Sequence, residues 1–417
     1  MDRCVLIIRA PELLFLTARL PPGILSSTAH VIDAERKKRV IEVLAQSHLD
    51  AIVCSSPSAV LLLTGYWPVM GASVVVFTEE GEVHVVLPED EVELAGRTSG
   101  ASLIPYRPST LADLTSPIDA LANPLRLLMI KLGLCKAAIG IQVAQGMQPA
   151  SYASSVQFRS SLEGLLQRLT PEANYRSCDS ALEQMEARKT AKELEGMRRA
   201  SDIAAAGLVH AAEAIQVGRR EAEIAADVQA AFQASTKAQE VERSYGFFFC
   251  MSGPNSATAS AAYARTRQRT IEAGDLVMIH ANTCADGYWT DITRTYTAGT
   301  TSHRQDTMRS AILEARKAAL GAIRPGVPAC DVDRAARDVM RAHGFGDAFR
   351  HSTGHGVGFA AANANALPRI HPHSPDVLEE GMTFNVEPAA YFDGYGGMRH
   401  CDVVAVTSES ASVFTEF

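Results

Sequence analysis

Apolar residues change their spacing along the chain, and the changes mark out elements. Between Ala34 and Gln46, Val40, Ile41, Val43 and Leu44 gather on one side and Arg36, Lys37, Lys38 and Arg39 on the other, which predicts an amphipathic helix. Ala51-Ile52-Val53-Cys54 is an unbroken apolar run and predicts a buried strand. Pro57 to Thr64 predicts a short helix, with Ser56 as N-cap, Pro57 at its first position and Gly65 as its stop. Ser73–Phe77 and Val83–Leu87 flank Glu79-Glu80-Gly81 and predict a hairpin. Strands and helices in alternation make this first half an α/β domain.

A second regime starts near Leu182. Leu194, Met197, Ala200, Ala204 and Leu208 recur at helical spacing within a predicted helix from Arg188 to Ile215, which Gly218 is expected to end. Glu221–Phe232, Arg304–Ala322 and Cys330–His343 predict further helices. From Ser244 onward, glycine-punctuated strands lie between them. The division is placed at 1–180 and 181–417.

One segment recurs. Gly274-Asp275-Leu276-Val277-Met278-Ile279-His280 is matched by Gly381-Met382-Thr383-Phe384-Asn385-Val386-Glu387. Each copy starts at a glycine, alternates, and ends on a side chain able to bind metal. Alternation sets His280 on the face opposite Val277 and Ile279, and Glu387 on the face opposite Phe384 and Val386. Each copy then turns through glycine into a return strand, the first running from Gly287 to Thr295. A turn centred on Ala285-Asp286 would set His280 opposite Asp291; Glu387 and Arg399-His400-Cys401-Asp402 bear a similar relation. Between the copies, His351-Ser352-Thr353-Gly354-His355-Gly356-Val357-Gly358 brings histidines four residues apart on a backbone that glycine lets approach closely. His280, Asp291, His355, Glu387 and Cys401 thereby become candidate ligands of a transition metal. Each also has a plainer reading: a half-buried strand histidine, capping carboxylates, an inert core thiol.

The 417 residues carry a net charge of -8 and no concentrated basic run, which excludes a nucleic-acid partner. Eight scattered cysteines without a C-x-x-C pair suit reduced thiols. The apolar stretch Val5–Leu20 is broken by Arg9, Glu12 and Arg19, so neither a signal peptide nor a membrane span is expected. A cytoplasmic location follows as an expectation.

At these motifs the chain resembles the family of Xaa-Pro aminopeptidases, prolidases and creatinases. Gly274–Val277 with Gly287–Thr295, Gly354–Gly358 and Asn385-Val386-Glu387-Pro388 carry the resemblance. So do Leu49–Val53, Leu63-Thr64-Gly65-Tyr66 and the helix around Lys192-Glu193-Leu194. It implies a creatinase-like N-terminal α/β domain and a C-terminal pita-bread fold, with pseudo-two-fold halves around a curved antiparallel sheet. It further implies a homodimer, and a pair of metal ions held by two aspartates, a histidine and two glutamates. Asp291, His355 and Glu387 match three of those positions. His280 stands at the first aspartate and Cys401 at the second glutamate. Ala259-Ser260 and Ala362 stand where substrate-facing histidines are expected.

A thiolate bridges through one soft atom and an imidazole brings no charge, so the altered set predicts one ion or none, zinc or iron before manganese. The reading is a metal-dependent hydrolase of a small peptide-like or amide substrate. Glu387 serves as ligand or proton shuttle, His351 and His400 as oxyanion and proton donors, and Arg399 as a carboxylate clamp. Missing the two histidines, the site is expected to cleave Xaa-Pro units slowly, with His371 or His373 as other candidates for their place. Two further readings stay open: a repurposed enzyme, either a metal-free C–N hydrolase or a lyase, and a non-catalytic peptide-binding protein.

Overall fold

The computed structural model describes residues 32–417 except 70–71, 108–110, 112–114, 148–154, 159–160, 237–240, 261–264, 361–362 and 364. The Val5–Leu20 stretch and Ala362 lie outside the described residues.

The first half is built on a six-stranded sheet: β1 (Ala51–Cys54), β2 (Val74–Thr78), β3 (Val83–Pro88), β4 (Ser102–Tyr106), β5 (Ala138–Ile141) and, after a hairpin of β6 (Ala144–Met147) and β7 (Ser155–Phe158), β8 (Asn174–Ser177). Its order is β4-β3-β2-β1-β5-β8. The β2–β3 hairpin forms as expected, and β1 pairs parallel with β5 and antiparallel with β2. Helices α1 (Ala34–Ser47), α2 (Pro57–Thr64), α3 (Val92–Thr98), α4 (Pro117–Lys131), α5 (Ser161–Leu169) and α6 (Asp179–Ala187) complete this half. Ser56 caps α2 and Gly65 ends it in the left-handed region at φ 78°, where a side chain would be strained.

Helix α7 (Ala191–Ala214) starts three residues later than the periodicity implied. Thr190 and Glu193 form a reciprocal capping box there, satisfying amides that a longer helix would leave orphaned. Glu193 also receives buried Arg36 from α1, at 2.9 Å from Nε, and Arg36 reaches the Met185 carbonyl at 2.9 Å. The first helix is thus bolted to the second half of the chain. Gly218 does not end α7. It lies beyond Ile215, with φ 92°, and its N–H donates to the Ile271 carbonyl.

After α8 (Glu221–Ser235), strands β9 (Ser244–Ser252), β10 (Leu276–Ala285) and β11 (Tyr288–Thr297) form an antiparallel sheet, with the short α9 (Pro254–Ala257) following β9. Val277, Ile279 and Ala281 of β10 pack on Met197, Ala200, Ala204 and Leu208 of α7 and on Val228 and Phe232 of α8. That burial, roughly 1.5–3 kcal/mol per large side chain, fixes which face of β10 turns inward. A one-residue slip would drive His280 into the helices.

The second half-repeat has the same plan. Helices α10 (His303–Ala322) and α11 (Ala329–Ala342) cover β12 (Thr383–Val386) and β15 (Asp402–Val406) through Met308, Ile312, Val332, Met340, Phe384, Val386 and Val404. Strands β13 (Ala389–Phe392) and β14 (Gly396–Arg399) extend this hairpin beyond Glu387-Pro388, and β16 (Ala411–Val413) pairs with β15. A bridge between Thr293 and Cys401 joins the two repeats. Among the described residues, no helix is long and apolar enough to cross a membrane.

Candidate active site

The first hairpin turns at Asp286-Gly287, with φ values of 47° and 91°, the two left-handed positions of a tight two-residue turn. The turn is therefore one residue later than the sequence suggested, and the register moves by two. His280 pairs with Thr293, and Asp291 pairs with Asn282. His280 and Asp291 still share a face as diagonal neighbours, His280 Nδ1 standing 3.5 Å from Asp291 Oδ1. The Asp-Gly pair was the sequence signal for this turn.

The histidine loop joins the second hairpin as an added strand. His355 N–H donates to Asn385 Oδ1 at 2.7 Å, Asn385 N–H to the His355 carbonyl at 3.0 Å, and Glu387 N–H to the Thr353 carbonyl at 2.8 Å. A Cβ on Gly354 would lie 1.8 Å from the Asn385 carbonyl oxygen, and one on Gly356 would lie 2.0 Å from that of Leu367. Close backbone approach is what these glycines allow. Buried Asp333 holds the loop from beneath, accepting from Thr353 N–H and Oγ1 at 3.0 and 2.8 Å and pairing with Arg337.

Asp291 is the centre of the resulting cluster. His355 Nε2 is 3.6 Å from Asp291 Oδ2, and the Cys401 thiol donates to the Asp291 carbonyl at 3.1 Å with its sulfur 4.0 Å from Oδ1. The His355 Nδ1 proton goes to the Gly356 carbonyl at 3.0 Å, turning Nε2 toward the carboxylate. Burial alone would lower His355, but the carboxylates of Asp291 and Glu387 prevail and push it up to about 9. Burial would raise Asp291, but His280, His355 and Arg399 hold it down to about 2. Burial dominates at Glu387, pushed up to about 7, with Arg399 opposing. The Cys401 thiol is driven well above its ordinary range by burial and by the carboxylates of Asp291 and Glu387, so it stays protonated.

Arg399 threads between the remaining members. Its Nη2 lies 3.0 Å from His280 Nδ1, its Nε donates to Thr293 Oγ1 at 3.0 Å, and its Nη1 is 3.5 Å from Glu387 Oε2. A guanidinium only donates, so Nδ1 of His280 is the acceptor. Burial, with Arg399 beside it, lowers His280 to about 4 and keeps it neutral.

Two expected partners are placed elsewhere. His351 borders the cluster through its neighbour: its Nδ1 donates to the Ser352 carbonyl at 2.8 Å and its Nε2 lies 2.9 Å from the Tyr391 hydroxyl. His400, in the link between β14 and β15, points away from the cluster, with its Nε2 3.3 Å from Asp402, a carboxylate shared with Arg294 and Arg316. Thr293, Tyr391, Asn385 and Asn282 were not singled out from the sequence. Only their alternation with Asp291, Glu387 and His280 could have signalled three of them.

Comparison with known proteins agrees with this architecture. The Creatinase/Prolidase N-terminal domain matches residues 36–169, and metallopeptidase family M24 matches residues 195–408, just over half of the chain. The chain belongs to metallopeptidase family M24. An Xaa-Pro dipeptidase of Pyrococcus furiosus is 28% identical over 382 residues, covering 92% of this chain and 98% of that protein. A probable dipeptidase, PepE, of Mycobacterium tuberculosis is 37% identical over 226 residues, 54% of this chain and 57% of that one. The crystal structure of the Pyrococcus horikoshii prolidase superposes with a TM-score of 0.72 at 26% identity, covering 92% and 98% of the two chains.

This M24 chain is therefore a hydrolase by family, and the family implies a divalent metal. The residues in the cleft do not fit the two-ion set. Among the described residues no three of His, Cys, Asp and Glu converge on an ion position. The Arg399 guanidinium already binds His280 and faces Glu387, and the Cys401 thiol keeps its proton.

Proposed function

We propose that the chain hydrolyses the C–N bond of a small peptide-like or amide substrate held over Asp291, His355, Glu387 and Arg399. One observation carries this reading: side chains from two hairpins and one loop meet in a single buried polar cluster around Asp291. Relatives named Xaa-Pro dipeptidase and prolidase support a substrate of about that size.

Amide hydrolysis needs a proton acceptor for the attacking water, positive charge at the carbonyl oxygen and a proton for the leaving nitrogen. Glu387 accepts the proton and returns it to nitrogen. Arg399 and protonated His355 supply the positive charge, and Asp291 orients His355. His351 supports the Tyr391 hydroxyl rather than the substrate. Only an ion that displaced the Arg399 contact and the Cys401 and His355 protons would meet two imidazoles and a thiol, a set that would favour zinc or iron over manganese, so those are the ions for the first metal trials. A homodimer in a cytoplasmic setting completes the proposal.

The test is a panel of dipeptides, including Ala-Pro, together with amino-acid amides and cyclic amides, scored by kcat/KM with and without added zinc, iron or manganese. Turnover of at least one class, lost in Glu387→Gln, is expected. A panel in which no C–N bond is cleaved under any metal condition overturns the reading.

A further inference from the structure

Asn282 is 1% exposed, and neither its Oδ1 nor its Nδ2 has a hydrogen-bond partner among the described residues. Buried amides are almost always satisfied, because each orphaned group keeps the cost of leaving water. An asparagine with both atoms unpaired is the exception that calls for a missing partner.

Its position says where the partner sits. Asn282 follows His280 by two residues on β10 and pairs across the hairpin with Asp291. The opposite face of β10, carrying Val277, Ile279 and Ala281, is packed on α7 and α8, so Asn282 stands on the cleft face with His280. On the β9 side it pairs with Phe247, and His280 pairs with Phe249. The half-buried Phe247 and Phe249 rings stack at 6.4 Å, and Phe249 stacks on His280 at 6.0 Å. The orphaned amide therefore lies between a flat apolar wall and the Asp291 cluster.

We infer that the Asn282 side chain is a substrate-recognition group that takes a carbonyl and an N–H lying on one edge of the ligand, as in a primary carboxamide or a cyclic amide. The N–H and C=O of a carboxamide sit side by side, so one group satisfying both must present the complementary pair in the same arrangement. A carboxylate offers acceptors only and would face Asp291. A trans peptide bond points its carbonyl and N–H in opposite directions. An Xaa-Pro bond has no N–H at all. The inference rests on the hydrolase reading for its outcome, but not for the binding step.

The test therefore reads binding and turnover separately. Hydantoin carries the paired edge, and 1,3-dimethylhydantoin keeps the ring but has no N–H. Calorimetry on the full chain is expected to show hydantoin bound at least tenfold more tightly than its dimethyl analogue. In Asn282→Leu, a near-isosteric apolar replacement, that preference should disappear while thermal unfolding moves no lower than in the parent. Equal binding of the two rings, no binding of either, or a preference that survives Asn282→Leu overturns the inference. Selective binding without cleavage of any amide leaves the inference standing and overturns the hydrolase reading instead.

Discussion

The guanidinium of Arg399 donates to Nδ1 of His280 at 3.0 Å, joining the two repeats through a cation that belongs to the chain itself. Its third nitrogen faces Glu387 at 3.5 Å, so one buried side chain balances charge that a bound ion would otherwise meet. Cation competition in the cleft is thereby a property that can be measured.

Removing the guanidinium should open the cleft to an ion. Arg399→Met is expected to bind zinc at least tenfold more tightly than the parent in competition with a chromophoric chelator. Equal affinity in the two proteins would show that Arg399 does not guard the position.

The altered pair can be reversed. His280→Asp with Cys401→Glu supplies two carboxylates where an imidazole and a thiol stand, restoring hard oxygen donors. Manganese per chain, measured by elemental analysis after equilibration, should rise toward two ions. An unchanged manganese content would mean that these side chains do not govern ion binding.

Glu387→Gln keeps the shape of the side chain and removes its ability to take a proton. On whichever amide substrate the parent cleaves, kcat should fall by about 10²–10⁴-fold with KM little changed. A fall of less than about tenfold would assign the proton transfer to another group.

Gly354 admits no side chain, because a Cβ there would lie 1.8 Å from the Asn385 carbonyl oxygen, which is backbone and cannot step aside. Gly354→Ala should cost about 3 kcal/mol or more and move His355 off Asp291. Denaturant unfolding measures the first effect. Loss of the raised imidazole titration of His355 near pH 9, followed by NMR, measures the second.

Lys189 is buried, and burial pulls its ammonium down to about 7 although Glu193 and Glu186 pull the other way. The unfolded chain holds that proton to about pH 10.4, so the folded state binds it less tightly. The resulting cost to stability is full below about pH 7 and is relieved as the pH rises toward 10.4. Glu186, pushed up to about 7 by burial, adds an opposite slope between about pH 4.3 and 7. Lys189→Met should raise Tm by about 2 °C or more at pH 7 and flatten the rise between pH 7 and 10. A lower Tm at pH 7 would show that the charged form is satisfied.

Local pattern carried much of this protein into view from sequence. The α2 cap at Ser56 and stop at Gly65, the β2–β3 hairpin and the α10 and α11 helices rest on near-neighbour spacing, which a linear reading can count. The recurrence of glycine, alternating strand and polar end disclosed the paired hairpins and set His280, Asp291, His355 and Glu387 together. A family resemblance at the same motifs agreed with it.

What spacing could not supply was register and orientation. One residue in the position of the Asp286-Gly287 turn moved the partner of Asp291 from His280 to Asn282. The clearest orphan in the cleft became visible only then, since a side chain's hydrogen bonds depend on atoms far away in the chain. The same holds for Arg399 and His400: adjacent in sequence at the end of β14, they reach different partners, one His280 and one Asp402. Sequence determined which chemical groups this cleft would contain; the packing of two hairpins against their helices decided which of those groups touch.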